Sequence, residues 1–190
     1  MSEGSKLTLV LGGARSGKST FAERLAASCS NRVTYLATAQ PSDSEMEERI
    51  SKHRADRPAH WTTVECPYDP AAAIGRTIGQ SDCYLLDCMT LLVSNLILRD
   101  EEAADTAVEQ SVQEILSAHS ESRAHLIVVS NEVGLGLVPE YAIGRSYRDA
   151  LGRANQRLAA CANSVYYLVA GIPLDLKALP TIVLPDLSPR

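Results

Sequence analysis

Near the amino terminus, "GGARSGKST" sets Gly12, Gly17, Lys18 and Ser19 in the order G-x-x-x-x-G-K-[ST]. Glycines let a loop close around a phosphate with its N–H groups turned inward. A helix starting directly afterwards adds the positive end of its dipole. A lysine in this place reaches the outer phosphates, and the serine hydroxyl can ligate magnesium. The chemistry implied is the binding of a nucleoside triphosphate and the transfer of one of its phosphoryl groups. The plainer alternative is a glycine turn between a strand and a helix.

A phosphate loop of this kind needs a carboxylate at a neighbouring strand end to organise magnesium. "YLLDCMT" supplies Asp87 after three apolar residues, either for that role or as a cap for the next helix. "VVSNEVG" sets Asn131 and Glu132 at another strand end, on the side where such sheets bind ligands. Glu132 is a further candidate, to orient a substrate hydroxyl or assist metal binding.

The segment "RISKHRADRPAHW" surrounds His53 with Arg49, Lys52, Arg54 and Arg57 in a chain whose formal net charge is −5. Helical residues four apart share a face, which aligns Arg49, His53 and Arg57, with Arg57 at the frayed end. Three basic groups on one stripe repel unless an anion lies across them. A neutral imidazole there is suited to attack phosphorus, to carry a proton or to donate a hydrogen bond to phosphate. The competing reading is a solvated helix face, with Glu45, Glu47 and Glu48 as ion-pair partners.

These residues require a scaffold, and the pattern alternates strand and helix almost throughout. "LTLVLGG", "VTYLAT", "WTTVE", "CYLLDCMT", "HLIVVSNEVG" and "SVYYLVAG" read as strands. Helices are expected over 16–28, over 43–56 up to the proline at 58, from an Asp69 cap and Pro70 through about Ile78, over 91–98, over 106–119 and over 144–162. "RDEEAAD" reads as a loop. From about residue 172 the proline-bearing tail is expected to be irregular, with "TIVL" as one edge strand. Continuous apolar strands alternating with helices predict an α/β fold with a mostly parallel sheet covered on both faces, in a single domain over 1–190.

Composition narrows the function. At 190 residues and 45% hydrophobic, the chain can bury a sizeable core. Net acidity and 5% aromatics argue against nucleic-acid binding. No segment is long and apolar enough to span a bilayer and the amino terminus does not read as a signal peptide, so the cytoplasm is expected. Five cysteines without a C-x-x-C pair argue against a disulfide framework or a structural zinc site, and most are expected to be core residues.

"GGARSGKS", "YLATAQ", "RISKHRADRPAHW", "TVE", "LLDCMT", "SNEVG" and "GRANQRLA", in that order from about Leu7 to Gly171, resemble the bifunctional adenosylcobinamide kinase / adenosylcobinamide-phosphate guanylyltransferase family of cobalamin biosynthesis. The resemblance implies a RecA-like P-loop sheet and a homotrimer. It implies phosphorylation of adenosylcobinamide with ATP or GTP, then transfer of GMP from GTP through a GMP–histidine intermediate, with magnesium as cofactor. Carried over, His53 is the nucleophile. Nucleotide contacts fall on Gly12, Gly13, Ala14, Arg15, Ser16, Gly17, Lys18 and Ser19, on Ala37, Thr38 and Ala39, on Arg54, Ala55, Asp56 and Arg57, and on Glu65 and Asp87. Some relatives have two adjacent histidines in the basic helix; here position 52 is lysine, and His60, beyond Pro58, is assigned a structural role. A single-activity P-loop kinase and a RecA-like ATPase module remain the competing functions.

Overall fold

The computed structural model describes residues 5–41, 44–55 and 57–180, with the side chains at 45 and 49 excepted. Its strands are β1 (Leu7–Gly12), β2 (Val33–Ala37), β3 (Thr62–Glu65), β4 (Cys83–Asp87), β5 (His125–Asn131), β6 (Ser164–Val169) and β7 (Ile172–Asp175). The helices are α1 (Lys18–Cys29), α2 (Ser44–Ala55), α3 (Pro70–Arg76), α4 (Met89–Arg99), α5 (Ala104–Ser122) and α6 (Ala142–Cys161). The strands form one sheet in the order β3-β2-β4-β5-β1-β6-β7, parallel except where β7 returns along β6.

The central strands are apolar along their length because both of their faces are covered. Every residue of β1 is buried, as are the middle five of β5. Alternate side chains point to opposite faces. Leu7, Leu9, Leu11, Leu36, Tyr84, Leu86, Leu126 and Val128 pack against α3, α4, α5 and α6. Val10, Tyr35, Leu85, Ile127 and Val129 pack against α1, whose Ala22 and Ala26 are small enough to lie flat on the sheet, and against Trp61. Cys66 and Cys83 join the core as expected, whereas Cys29 and Cys161 are exposed. Burial pushes the Cys66 and Cys83 thiols up to about 12.

The Asp69 cap is present, its Oδ1 accepting from Ala72 N at 2.8 Å. Helix α3 stops at Arg76, where the Thr77 hydroxyl donates to Ala73 O at 2.8 Å and competes with the next helical bond. The acidic segment after α4 turns over 100–103, but Ala104 and Asp105 already belong to α5.

The expectation of an irregular tail from about 172 is corrected at its start, because 172–175 is strand β7. Ala170 and Gly171 both take positive φ, 51° and 82°, the two-residue turn that matches strand twist in a hairpin. Pro173 is tolerated because β7 is the outermost strand. The "TIVL" strand lies outside the described residues.

Candidate functional site

The loop after β1 is built on two glycines for separate reasons. A Cβ at Gly12 would lie 2.5 Å from Ser16 Oγ and 2.8 Å from Leu168 O, so the backbone passes where no side chain fits. Gly17 has φ 90°, a left-handed conformation that glycine adopts without strain. Ser16 O accepts from Gly171 N at 2.9 Å, so the β6–β7 turn braces the loop from behind. Ser16 Oγ is buried without a partner, an arrangement that a bound phosphate oxygen would satisfy.

Lys18 opens α1 with Nζ donating to Gly13 O at 3.1 Å. Burial lowers its pKa, while Cys88 and Asp87 raise it, so the carboxylate at the end of β4 lies within electrostatic reach of the ammonium. Asp87 Oδ2 accepts from the Tyr35 hydroxyl at 2.9 Å. That hydroxyl is held protonated by burial.

Strand register aligns the other predicted residues along the same sheet edge. Glu65 on β3 stands opposite Ala37 on β2, and Ala37 opposite Asp87 on β4. Asp87 lies opposite Val129 on β5, and Gly12 opposite Asn131. All these positions are at the carboxyl ends of parallel strands, where open α/β sheets bind ligands. Thr38 is fully buried, and its hydroxyl donates to Cys88 O and accepts from Cys88 N, each at 2.8 Å. Its side chain is thus used to tie β2 to the end of β4, and its N–H donates to Asp87 O at 3.3 Å.

The basic segment sits at the far side of the sheet. Helix α2 ends at Ala55, and Lys52, His53 and Arg54 occupy its last turn, where positive charge suits the helix dipole. Arg54 Nη2 pairs with Glu65 Oε1 at 2.5 Å, both exposed. Arg57 has left the helix. Its guanidinium stacks 3.4 Å from the centroid of the Tyr35 ring and its Nη1 lies 3.5 Å from Thr63 Oγ1. The expected stripe of three cations therefore does not include Arg57, which is joined instead, through Tyr35, to Asp87. Asp56 and the orientation of Arg49 lie outside the described residues. His53 and His60 are exposed.

The structure brings Lys18 within electrostatic reach of Asp87, and separately pairs Arg54 with Glu65. It does not bring His53 to the phosphate loop. Glu65 is four strands from β1, or about 19 Å at the usual strand spacing.

Several residues that support the site were not singled out by the sequence reading. Asn95 Nδ2 donates to Thr38 O and Pro67 O at 2.9 and 2.8 Å. Asn155, within "GRANQRLA", donates to Asn131 O at 3.0 Å and accepts from the Ser130 hydroxyl at 2.6 Å. Thr90 Oγ1 accepts from Asn131 N at 3.1 Å. Polar residues on the buried faces of α4 and α6 were the available clue. Glu132 N donates to Gly12 O at 3.3 Å, and its Oε1 accepts from Gly134 N at 2.6 Å.

Magnesium takes hard oxygen ligands and is commonly held by one or two protein groups plus phosphates. The Ser19 hydroxyl and the Asp87 carboxylate fit that donor set. Among the described residues there is no cluster of three or more His, Cys, Asp or Glu that could hold a metal by itself. No described helix is long and apolar enough to cross a membrane.

Comparison with known proteins gives concordant findings. The model of the family "Cobinamide kinase / cobinamide phosphate guanyltransferase" matches residues 8–176. The chain is 45% identical over 172 residues to the bifunctional adenosylcobalamin biosynthesis protein CobP of Pseudomonas aeruginosa, covering 90% of this chain and 98% of that protein. It is 40% identical over 181 residues to the protein CobU of Salmonella typhimurium and 41% identical over 181 residues to CobU of Escherichia coli, both described as bifunctional adenosylcobalamin biosynthesis proteins. Each match covers 90% of this chain and 99% of the relative.

Proposed function

The chain belongs to the cobinamide kinase / cobinamide phosphate guanyltransferase family, and from that membership we propose how its residues divide the two reactions. It is a bifunctional transferase of adenosylcobalamin biosynthesis, a kinase acting on an alcohol and a guanylyltransferase. In the first reaction the aminopropanol hydroxyl of adenosylcobinamide attacks the γ-phosphorus of ATP or GTP, and the nucleoside diphosphate leaves. The loop Gly12–Ser19 holds the triphosphate, and Lys18 offsets charge developing on the transferred group. Ser19 and Asp87 would hold magnesium, which supplies neutralisation of phosphate charge when bound. The observation that carries this reading is Lys18 bonded to Gly13 O of the glycine loop, within electrostatic reach of Asp87.

In the second reaction His53 attacks the α-phosphorus of GTP. A P–N bond forms, the bond to the β-phosphate bridging oxygen breaks, and pyrophosphate leaves. A phosphate oxygen of adenosylcobinamide phosphate then displaces the imidazole, giving adenosylcobinamide-GDP. Splitting one displacement into two through a covalent intermediate is the general use of such a nucleophile. Attack requires His53 within roughly 3.5 Å of phosphorus, so α2 has to move toward the phosphate loop. Its exposed Arg54–Glu65 tie, with side chains 59% and 66% exposed, is of the kind worth only about 0–1 kcal/mol. Ala37, Thr38 and Ala39, with Arg54, Ala55, Asp56, Arg57 and Glu65, are assigned to nucleotide contact on the family resemblance. Glu132 is assigned to the kinase end, beside Gly12.

The enzyme is assigned to the cytoplasm, as its sequence leads one to expect, and, on the family resemblance, to a homotrimer. The test of the function is sequential. Adenosylcobinamide and γ-labelled ATP should yield labelled adenosylcobinamide phosphate, and this product with α-labelled GTP should yield labelled adenosylcobinamide-GDP. Phosphorylation without guanylyl transfer would leave a single-activity kinase.

A further inference from the structure

The segment running from β5 to α6 carries large apolar side chains in the open. Leu135 is 81% exposed, Leu137 96%, Val138 66% and Tyr141 75%. They are held in place by hydrogen bonds at both ends. Glu132 is tied to Gly12 O through its N–H and to Gly134 N through Oε1. At the other end Arg145 Nη1 donates to Pro139 O at 3.1 Å and to Glu140 O at 2.5 Å. A Cβ on Gly144 would lie 2.8 Å from Pro139 Cβ, so α6 meets the segment without a gap. Two residues beyond Tyr141, Ile143 enters an open apolar groove of about 180 Å³ between α4 and α6, lined also by Ile97, Leu98 and Tyr147.

An ordered, apolar, solvent-facing surface marks a binding site, and its rigidity reduces the entropy lost on binding. Its chemistry selects the occupant. Residues 133–139, "VGLGLVP", carry no charged side chain, so their exposed side chains favour an apolar occupant. Its first residue follows Glu132, whose N–H donates to Gly12 O, so the segment starts at the first glycine of the phosphate loop. The kinase acceptor has this character: a corrin macrocycle, broad and edged with methyl groups, with an aminopropanol arm ending in the reacting hydroxyl.

We propose that Leu135, Leu137, Val138 and Tyr141 form the platform on which the corrin ring of the acceptor rests, with its aminopropanol arm directed to the phosphate loop. This rests on the function proposed above and adds to it the residues that recognise the acceptor. Leu137→Ser and the double variant Leu135→Ser/Val138→Ser are the probes, since both change only exposed side chains. Equilibrium dialysis of adenosylcobinamide, followed by the visible absorption of the corrin, reads its Kd directly. Each variant should weaken that Kd on the order of tenfold, the loss expected from removing one or two buried leucine-sized contacts. The KM for ATP, and the GMP retained on the protein from labelled GTP, should stay at wild-type values. An unchanged corrinoid Kd in both variants overturns the proposal. So does a change in sedimentation coefficient accompanying the loss, which would assign the surface to contact between copies of the chain. Wild-type protein that neither binds nor phosphorylates adenosylcobinamide would instead sink the function itself, and this inference with it.

Discussion

At the scale of single residues, the roles follow from what each side chain has been denied. Lys18 is half-buried and bonded to a carbonyl, and burial lowers its pKa; a triphosphate would supply the anion it lacks. Lys18→Ala should slow both reactions about 100-fold or more, measured as initial rates at saturating nucleotide; near wild-type rates in the folded variant would remove Lys18 from the chemistry. Asp87 is a half-buried carboxylate fixed by the Tyr35 hydroxyl, itself under the Arg57 guanidinium. Asp87→Asn should raise the magnesium concentration needed for half-maximal rate in both reactions while thermal unfolding is little changed. An identical magnesium titration would reduce Asp87 to a structural role. Lys18 and Asp87 were legible in the sequence because phosphate and magnesium demand particular groups at strand ends. The stacking of Arg57 on Tyr35 was not. Helical spacing placed Arg57 beside His53, but the proline at 58 ends α2 at Ala55 and the chain turns Arg57 back over the sheet.

At the scale of elements, the site depends on the closeness of β1, α1 and the β6–β7 turn. Gly12 is the contact point, with Ser16 Oγ and Leu168 O both inside the distance a Cβ would occupy. Gly12→Ala should force the phosphate loop open, raising the KM for nucleotide at least about tenfold and costing on the order of 1–3 kcal/mol of stability, as overpacking does. Urea unfolding alongside nucleotide kinetics checks both. A variant with unchanged KM would mean that the loop shape is not set there. The six strands up to β6 were readable because strands buried on both faces are continuously apolar. Strand β7 was not, because Pro173 reads as a breaker and the Ala170–Gly171 turn lacks the usual Asn-Gly or Asp-Gly signal. The hydroxyl of Thr38 and the amides of Asn95 and Asn155 were illegible for another reason. They hold strand ends to helices distant in sequence, and only the fold reveals those partners.

At the scale of the whole molecule, two histidines at the opposite end of the sheet couple stability to pH. Burial lowers the pKa of His119 on α5 and of His125 on β5; the His125 charge adds to the effect on His119 and the Lys6 charge to that on His125. The unfolded chain binds protons at its ordinary histidine pKa of about 6.5 and the folded chain does not. Their contribution to stability is therefore present above about pH 6.5 and is lost as the pH falls below it. The urea midpoint should drop between about pH 7.5 and pH 5.5, and His119→Asn should flatten that dependence. A midpoint independent of pH would contradict the assignment. The molecule also has to serve two displacements at different phosphorus atoms with one phosphate loop and one histidine on the helix whose Arg54 pairs with Glu65 of β3, four strands from β1, and that division of labour is the centre of the account. It is tested most directly by incubating wild-type protein and His53→Ala with α-labelled GTP, denaturing both, and counting acid-labile label retained, with the kinase rate measured on the same samples. The account predicts label on wild-type protein, none on His53→Ala, and a kinase rate in the variant within a few-fold of wild type. Label on the variant, or on another residue of the wild type, would contradict it.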